Sequence, residues 1–317
     1  MTRRAVIPGI VAAVAGALLV THCTAKPDPT PEPVAWAPGT TIHEIVSGGT
    51  PRTYRLHVPA RHPTTLTGSA RPYGIVVVLH GSGADGGDVE DQTGMDSVSE
   101  ANGWLMVYPD AMSNSLGFGS DWNAGTCCGP AARDSVDDAA FVLSAIGEVA
   151  SRLPTDRAHV YVAGFSAGGR LAYHLACRAP AQFAAVAVVS GSVLDARCRP
   201  PVPVPIIAFH GTADDEVPYT EASETPVAKL VTGTDSMPPA IQLWAALDRC
   251  RNPRAIHSTA HVTRIGFRRC RADVVLYRIA GGGHGWPGSK DGPGGEAPLS
   301  EIHATTLIAR YFARHTR

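Results

Sequence analysis

Apolar positions along this chain gather into short unbroken runs: GIVVVLH (Gly74–His80), WLMVYPD (Trp104–Asp110), VYVAGF (Val160–Phe165), FAAVAVVSG (Phe183–Gly191), PIIAFHG (Pro205–Gly211) and VVLYRIAG (Val274–Gly281). Continuous rather than alternating hydrophobicity marks strands buried on both faces, as in a parallel sheet. Between the runs, apolar residues recur at helical spacing over Asp137–Leu153, Ala167–Ala179, Pro239–Arg249 and Leu299–His315. The first of these is opened by a capping-box pattern from Ser135 to Asp138. TTIHEIV and RTYRLHVP, on either side of the turn SGGTP, predict a hairpin ahead of the first run. The succession predicts an α/β fold with a mostly parallel central sheet flanked by helices on both faces. No internal repeat is present.

The N-terminus departs from this pattern. Arg3 and Arg4 precede an apolar run from Ala5 to Val20, so residues 1–23 read as an export signal. The run is shorter than the ~18–20 apolar residues that span a bilayer. VTHC resembles a lipobox that would place a lipid anchor on Cys23, although His22 departs from the small residue such a motif carries there. The alternating prolines of residues 24–39 predict an extended linker, and residues 40–317 a single domain. Six cysteines follow the leader, an even number that in an exported chain points to disulfides. Cys250 with Cys270, flanking a short insertion, is the first expected pair, and Cys177 with Cys198 the second. Cys127 and Cys128 remain for a vicinal bridge or two free thiols. Their spacings do not repeat C-x-x-C and no histidine cluster accompanies them, which argues against zinc. A formal charge of −1, from 27 basic and 28 acidic residues without a block of like charge, gives no footprint for nucleic acid.

Chemistry concentrates where the apolar runs end, because functional groups in a parallel sheet gather at the strands' carboxyl edge. Gly164-Phe165-Ser166-Ala167-Gly168 fits G-x-S-x-G between a strand and a helix, a turn that exposes a serine hydroxyl beside the backbone N–H of Ala167. A serine becomes a nucleophile only when a base takes its proton and a carboxylate orients that base. Downstream, Asp214 and Asp215 follow one strand and His284 another, the only one of thirteen histidines on a late glycine-rich loop. Spacing alone leaves the two aspartates as alternatives. The second oxyanion donor is expected after an early strand, on the N–H of Ser82, with Gly81 and Gly83 as neighbours. Two glycine-rich loops carry aromatic residues suited to a pocket wall: Trp122 and Phe118 on the first, Trp286 on the second. Gly81, Gly83 and Gly86 also satisfy G-x-G-x-x-G, with Asp110 ending the next strand, so a dinucleotide-binding oxidoreductase competes. The export signal and an otherwise unexplained triad weigh against it.

Taken in order, LHGSGADG, DWNAGTCCGPAARDSVDDAAFV, GFSAGG, HGTADDEVPY and GGGHGWPG resemble the secreted esterases related to polyhydroxybutyrate depolymerases and carbohydrate esterase family 1, specifically the LpqC-like group. The resemblance runs from about Thr41 to the C-terminus. It implies an α/β-hydrolase fold, no metal and no organic cofactor, and puts the acid at Asp214 rather than Asp215. It further implies a serine esterase acting on polysaccharide-linked feruloyl or acetyl groups, or on hydroxyalkanoate polyester. Acyl transfer to cell-envelope sugars, and an inactive binding module on the same scaffold, are the competing readings. The expected partner is the ester substrate, with a membrane engaged only through an anchor at Cys23.

Overall fold

Each apolar run becomes a strand in the computed structural model, which describes residue 2 and residues 36–64, 68–113, 120–125, 128–193, 197–219, 238–290 and 293–317. The predicted hairpin forms from β1 (Gly39–Ser47) and β2 (Thr50–Val58). Then come β3 (Tyr73–Leu79), α1 (Gly86–Thr93), α2 (Asp96–Asn102) and β4 (Trp104–Pro109), followed by the short pair β5 (Met112–Ser113) and β6 (Ser120–Asp121). After the single turn α3 (Gly129–Arg133), helix α4 (Asp138–Arg152) leads to β7 (Thr155–Phe165), α5 (Ala167–Arg178), β8 (Ala185–Val189) and β9 (Ile206–Gly211). The chain closes with α6 (Pro239–Leu247), β10 (Arg251–His257), β11 (Val262–Arg268), β12 (Val274–Ile279) and α7 (Ala304–Phe312).

The main sheet has ten strands in the order β1-β2-β4-β3-β7-β8-β9-β12-β11-β10. Its six central strands, β4 to β12, are mutually parallel, and an antiparallel hairpin extends each end. All residues of β3, β4, β8 and β9 are buried, which is why their sequences lack alternation. One apolar layer packs α4, α5 and α6 against the sheet, the other α1, α2 and α7. Among the described residues no helix is long and apolar enough to cross a membrane.

Local readings needed adjustment at several points. The N-cap of α4 is Asp137, whose carboxylate accepts from the Ala140 N–H, and Ser135 instead takes a left-handed turn conformation with φ 53°. The predicted Leu299–His315 helix is split into a 3-10 turn at Leu299–Glu301 and α7. Trp36, within the span read as linker, packs on the core beneath the Arg152 guanidinium. The rest of the leader and linker, Cys23 included, lies outside the described residues. Disulfides join Cys177 to Cys198 and Cys250 to Cys270 as expected. Cys128 is disulfide-bonded, while Cys127 is outside the described residues.

Candidate active site

Strand β7 delivers Ser166 to the carboxyl edge, and α5 starts at the next residue, leaving one position to reverse the chain. Ser166 does so at φ 53° and ψ −117°, a conformation most residues avoid. Its N–H donates to the Val189 carbonyl at 3.0 Å, and its own carbonyl accepts from Arg170 at 3.0 Å. The flanking glycines are steric requirements. A methyl at Gly164 would overlap the carbonyl of Gly168, and one at Gly168 would overlap those of Leu79 and His80.

Asp214 and His284 arrive on the loops after β9 and β12, neighbouring parallel strands. These loops are knitted together: Ala213 N–H donates to the Gly282 carbonyl at 2.8 Å, and Gly281 N–H to Thr212 Oγ1 at 2.9 Å. The Nδ1–H of His284 donates to both Asp214 oxygens, at 2.9 and 3.0 Å. Because only acceptors face Nδ1, the proton sits there and the Nε2 lone pair is left for the cleft. Asp214 Oδ1 also accepts from Val217 N–H at 2.8 Å and Glu216 N–H at 3.2 Å. His210, buried beneath, donates to the Val217 carbonyl at 2.7 Å and lies 3.4 Å from Asp214 Oδ2. Burial pushes the Asp214 carboxyl up, but hydrogen bonds from His210, His284 and Val217 outweigh it and hold the group well below the usual carboxylate range.

Ser166, Ala167, Gly81, Ser82 and His284 line one open cleft of about 390 Å³. Asp214 is 5% exposed and stands behind the imidazole. The Ser166 hydroxyl makes no hydrogen bond to Nε2 among the described contacts, and the carboxylate nearest that nitrogen is the exposed Glu216, 3.7 Å away. The loop carrying Ser82 is fixed by His80, fully buried, whose Nδ1–H donates to the Gly81 carbonyl at 2.7 Å while Nε2 accepts from Ala111 N–H at 3.0 Å. Burial keeps that imidazole neutral by lowering its pKa, against smaller opposing effects.

The two tryptophans expected as pocket wall are elsewhere. Trp122 is fully buried and donates to the His80 carbonyl at 2.9 Å, so it braces the loop that carries Ser82. Trp286 is 1% exposed and donates to Thr305 Oγ1 at 3.0 Å, pinning the histidine loop to α7. An apolar residue amid glycines was open to either placement, and burial won. Phe118 is outside the described residues. The wall is instead built by Phe165, Val217, Gln92, Arg170 and Glu216. Of these, Phe165 and Arg170 follow from the serine motif, flanking it at one and four residues. Nothing in the sequence singles out Gln92 or Glu216.

The competing glycine fingerprint has a local explanation. The Asp110 carboxylate accepts from Gly86 N–H at 2.8 Å and Thr53 Oγ1 at 2.7 Å, tying the start of α1 to the end of β4. Among the described residues, His57, Glu90 and Asp96 bring three donor atoms within 4.8 Å of one another. They already bond among themselves and their neighbours: His57 engages Asp96 and Glu100, each at 3.2 Å, and Glu90 accepts from Thr40 at 2.8 Å.

A family model described as esterase PHB depolymerase matches residues 63–224, a segment that contains Ser166 and Asp214 but not His284. NocK of Nocardia uniformis subsp. tsuyamanensis, an esterase by name, is 30% identical over 266 residues, 78% of this chain and 74% of that one. Feruloyl esterase B of Piromyces equi is 28% identical over 191 residues, 58% of this chain, which spans only 34% of that longer protein. Among solved structures, an acetyl xylan esterase from Aspergillus awamori superposes with a TM-score of 0.60 at 15% identity, covering 86% of this chain and 99% of that one. That likeness identifies the α/β-hydrolase fold.

Proposed function

The chain belongs to the esterase PHB depolymerase family and is a carboxylic ester hydrolase, and from that premise we propose that it is an exported serine esterase working through Ser166, His284 and Asp214. His284 Nε2 takes the proton of the Ser166 hydroxyl as Oγ attacks the ester carbonyl. Asp214 holds the Nδ1–H tautomer and offsets the charge of the imidazolium that forms. The N–H groups of Ala167 and Ser82 stabilise the tetrahedral oxyanion. His284 returns the proton to the departing alkoxide, leaving an acyl-enzyme on Ser166. Water, deprotonated by His284, then releases the acid and restores the serine. The observation that carries this reading is the Asp214–His284 pair at 2.9 Å standing over the cleft that Ser166 lines.

The cleft wall favours an acyl group on a hydroxyl-rich alcohol. Gln92, Arg170, Glu216 and Ser82 present donors and acceptors, against Phe165 and Val217 as apolar surface. Acetyl groups on xylan and feruloyl esters are the substrates in its relatives' names. Two disulfides support export to an oxidising compartment. Ser166→Ala and His284→Ala should each lower kcat on p-nitrophenyl acetate by roughly 10³-fold or more, with Ser166→Ala also abolishing labelling by a fluorophosphonate probe. Near-normal turnover in Ser166→Ala would overturn the mechanism. Acetylated xylan, methyl ferulate and polyhydroxybutyrate, assayed in parallel, separate the substrate classes.

A further inference from the structure

The arginines of this chain are unevenly placed in a way its net charge conceals. Seven occur between Arg249 and Arg271, a stretch without a single Asp or Glu. The fold turns this stretch into the β10–β11 hairpin, closed at its base by the Cys250–Cys270 disulfide. Register sets the geometry: Arg251 opposes Arg268, Arg254 opposes Gly266, and Ile256 opposes Arg264. Directly opposed residues share a face. Arg251, Arg254, Arg264 and Arg268 therefore stand on one side of the ribbon, with Ile256, 43% exposed, among them. Every residue of β10 is exposed. Among the described residues, arginine ion pairs such as Arg52 with Asp138 and Arg178 with Asp137 lie elsewhere, and no arginine of the hairpin takes part in one. Two carboxylates answer part of this charge: the buried Asp248 feels Arg271, and Asp273, which bonds His315 at 3.2 Å, feels Arg264.

Strand polarity fixes where this charge faces. Val262 of β11 pairs with Ile279, at the carboxyl end of β12, and Gly266 with Val275 near its start. Arg268, Arg269 and Arg271, together with Arg249 and Arg251, thus lie at the amino edge of the parallel strands, opposite the edge that carries Ser166, Asp214 and His284. Strand β1 runs parallel to β4, being antiparallel to β2 in turn, so Gly39 also begins at that amino edge.

We propose that the β10–β11 hairpin is a docking surface for anionic phospholipid headgroups, holding the amino edge against a membrane while the cleft faces away. Guanidinium groups pair with phosphate in a two-pronged geometry and are only weakly hydrated. Juxtamembrane basic residues each add to attraction toward an anionic leaflet, screened by salt. Ile256 supplies an apolar contact amid them.

The experiment uses the full chain carrying Cys23→Ser, so that no acyl anchor is attached, with vesicles of phosphatidylcholine alone or containing one-third phosphatidylglycerol. Sedimentation should recover at least tenfold more protein on the anionic vesicles at low salt, and ionic strength of about 0.5 M should erase that preference. The leader, with Arg3 and Arg4, adds its own attraction to the anionic vesicles, equal in the wild type and in a hairpin variant, so the hairpin is read from the difference between those two proteins. Combined Arg251→Gln, Arg254→Gln, Arg268→Gln and Arg269→Gln should remove the preference and leave p-nitrophenyl acetate turnover unchanged. Equal partitioning of the wild type, or an unchanged preference in the variant, overturns the proposal. So does salt-sensitive retention on polygalacturonate without retention on vesicles, which would assign the surface to an acidic polysaccharide. If the variant misfolds, the exposed pair Arg251→Gln and Arg254→Gln alone decides, with a weakened preference expected and an unchanged one overturning the proposal. Vesicle binding and soluble-ester turnover are read separately, so failure of the docking surface and failure of the esterase mechanism are distinguishable.

Discussion

At the scale of single residues, the acid proposed for the triad marks what sequence carries and what it omits. Asp214 and Asp215 are equivalent in composition and spacing, yet only Asp214 turns back under the Val217 N–H and receives His284. That turn is a property of the loop's backbone, so the strand-end rule narrows the choice to two residues and stops there. His210 was equally silent, reading as an ordinary residue near a strand end, although its hydrogen bond helps keep Asp214 ionised. Asp214→Asn should lower kcat by roughly 10³–10⁴-fold, because an amide can accept from Nδ1–H but can also present N–H and favour the wrong tautomer. Asp215→Asn should retain most activity. Steady-state kinetics on a soluble ester discriminate the two, and equal losses would remove Asp214 from its assigned role.

At the scale of elements, legibility follows burial. The strands buried on both faces declare themselves by unbroken apolar runs, and α4, α5 and α6 by apolar periodicity. Helices α1 and α2 escape, since GGDVEDQT and DSVSEAN place few buried residues against the sheet and owe their ends to local caps such as Asp85, which receives the N–H groups of Gly87 and Asp88. The β10–β11 hairpin escapes for a related reason: β10 buries nothing, so its sequence shows no alternation to read. The strand-turn-helix at Ser166 is the opposite case, because sterics force its sequence. Gly164 permits α5 to pack directly on β7, and any Cβ there meets backbone atoms that cannot rotate away. Gly164→Ala should therefore cost about 3 kcal/mol or more in unfolding free energy, measured by urea denaturation. A loss below about 1 kcal/mol would show that the helix moves freely on the sheet.

At the scale of the whole molecule, stability against pH combines carboxyl groups displaced in opposite directions. Asp214 is held low, so its native hydrogen bonds contribute fully above the unfolded carboxyl value near 4 and are lost as pH falls below it. Asp248 behaves in reverse. It is 2% exposed, its Oδ2 has no hydrogen-bond partner among the described residues, and burial, only partly offset by the charge of Arg271, pushes its carboxyl up to about 6. A raised carboxyl binds its proton more tightly in the folded state, so stability declines as pH rises from about 4 to about 6, and the penalty persists above that. Asp248→Asn removes the ionisation while keeping the shape. The variant should be more stable by about 1–2 kcal/mol at pH 7.5, a figure discounted for screening by solvent and Arg271, and should match the wild type near pH 4. Urea titrations at the two pH values test this directly, and a gain of equal size at both would mean the effect is steric rather than electrostatic. The gain should also grow as salt rises, since screening weakens the attraction of Arg271 for ionised Asp248 in the wild type while the neutral variant has no such attraction to lose; the wild type should be the more salt-sensitive of the two.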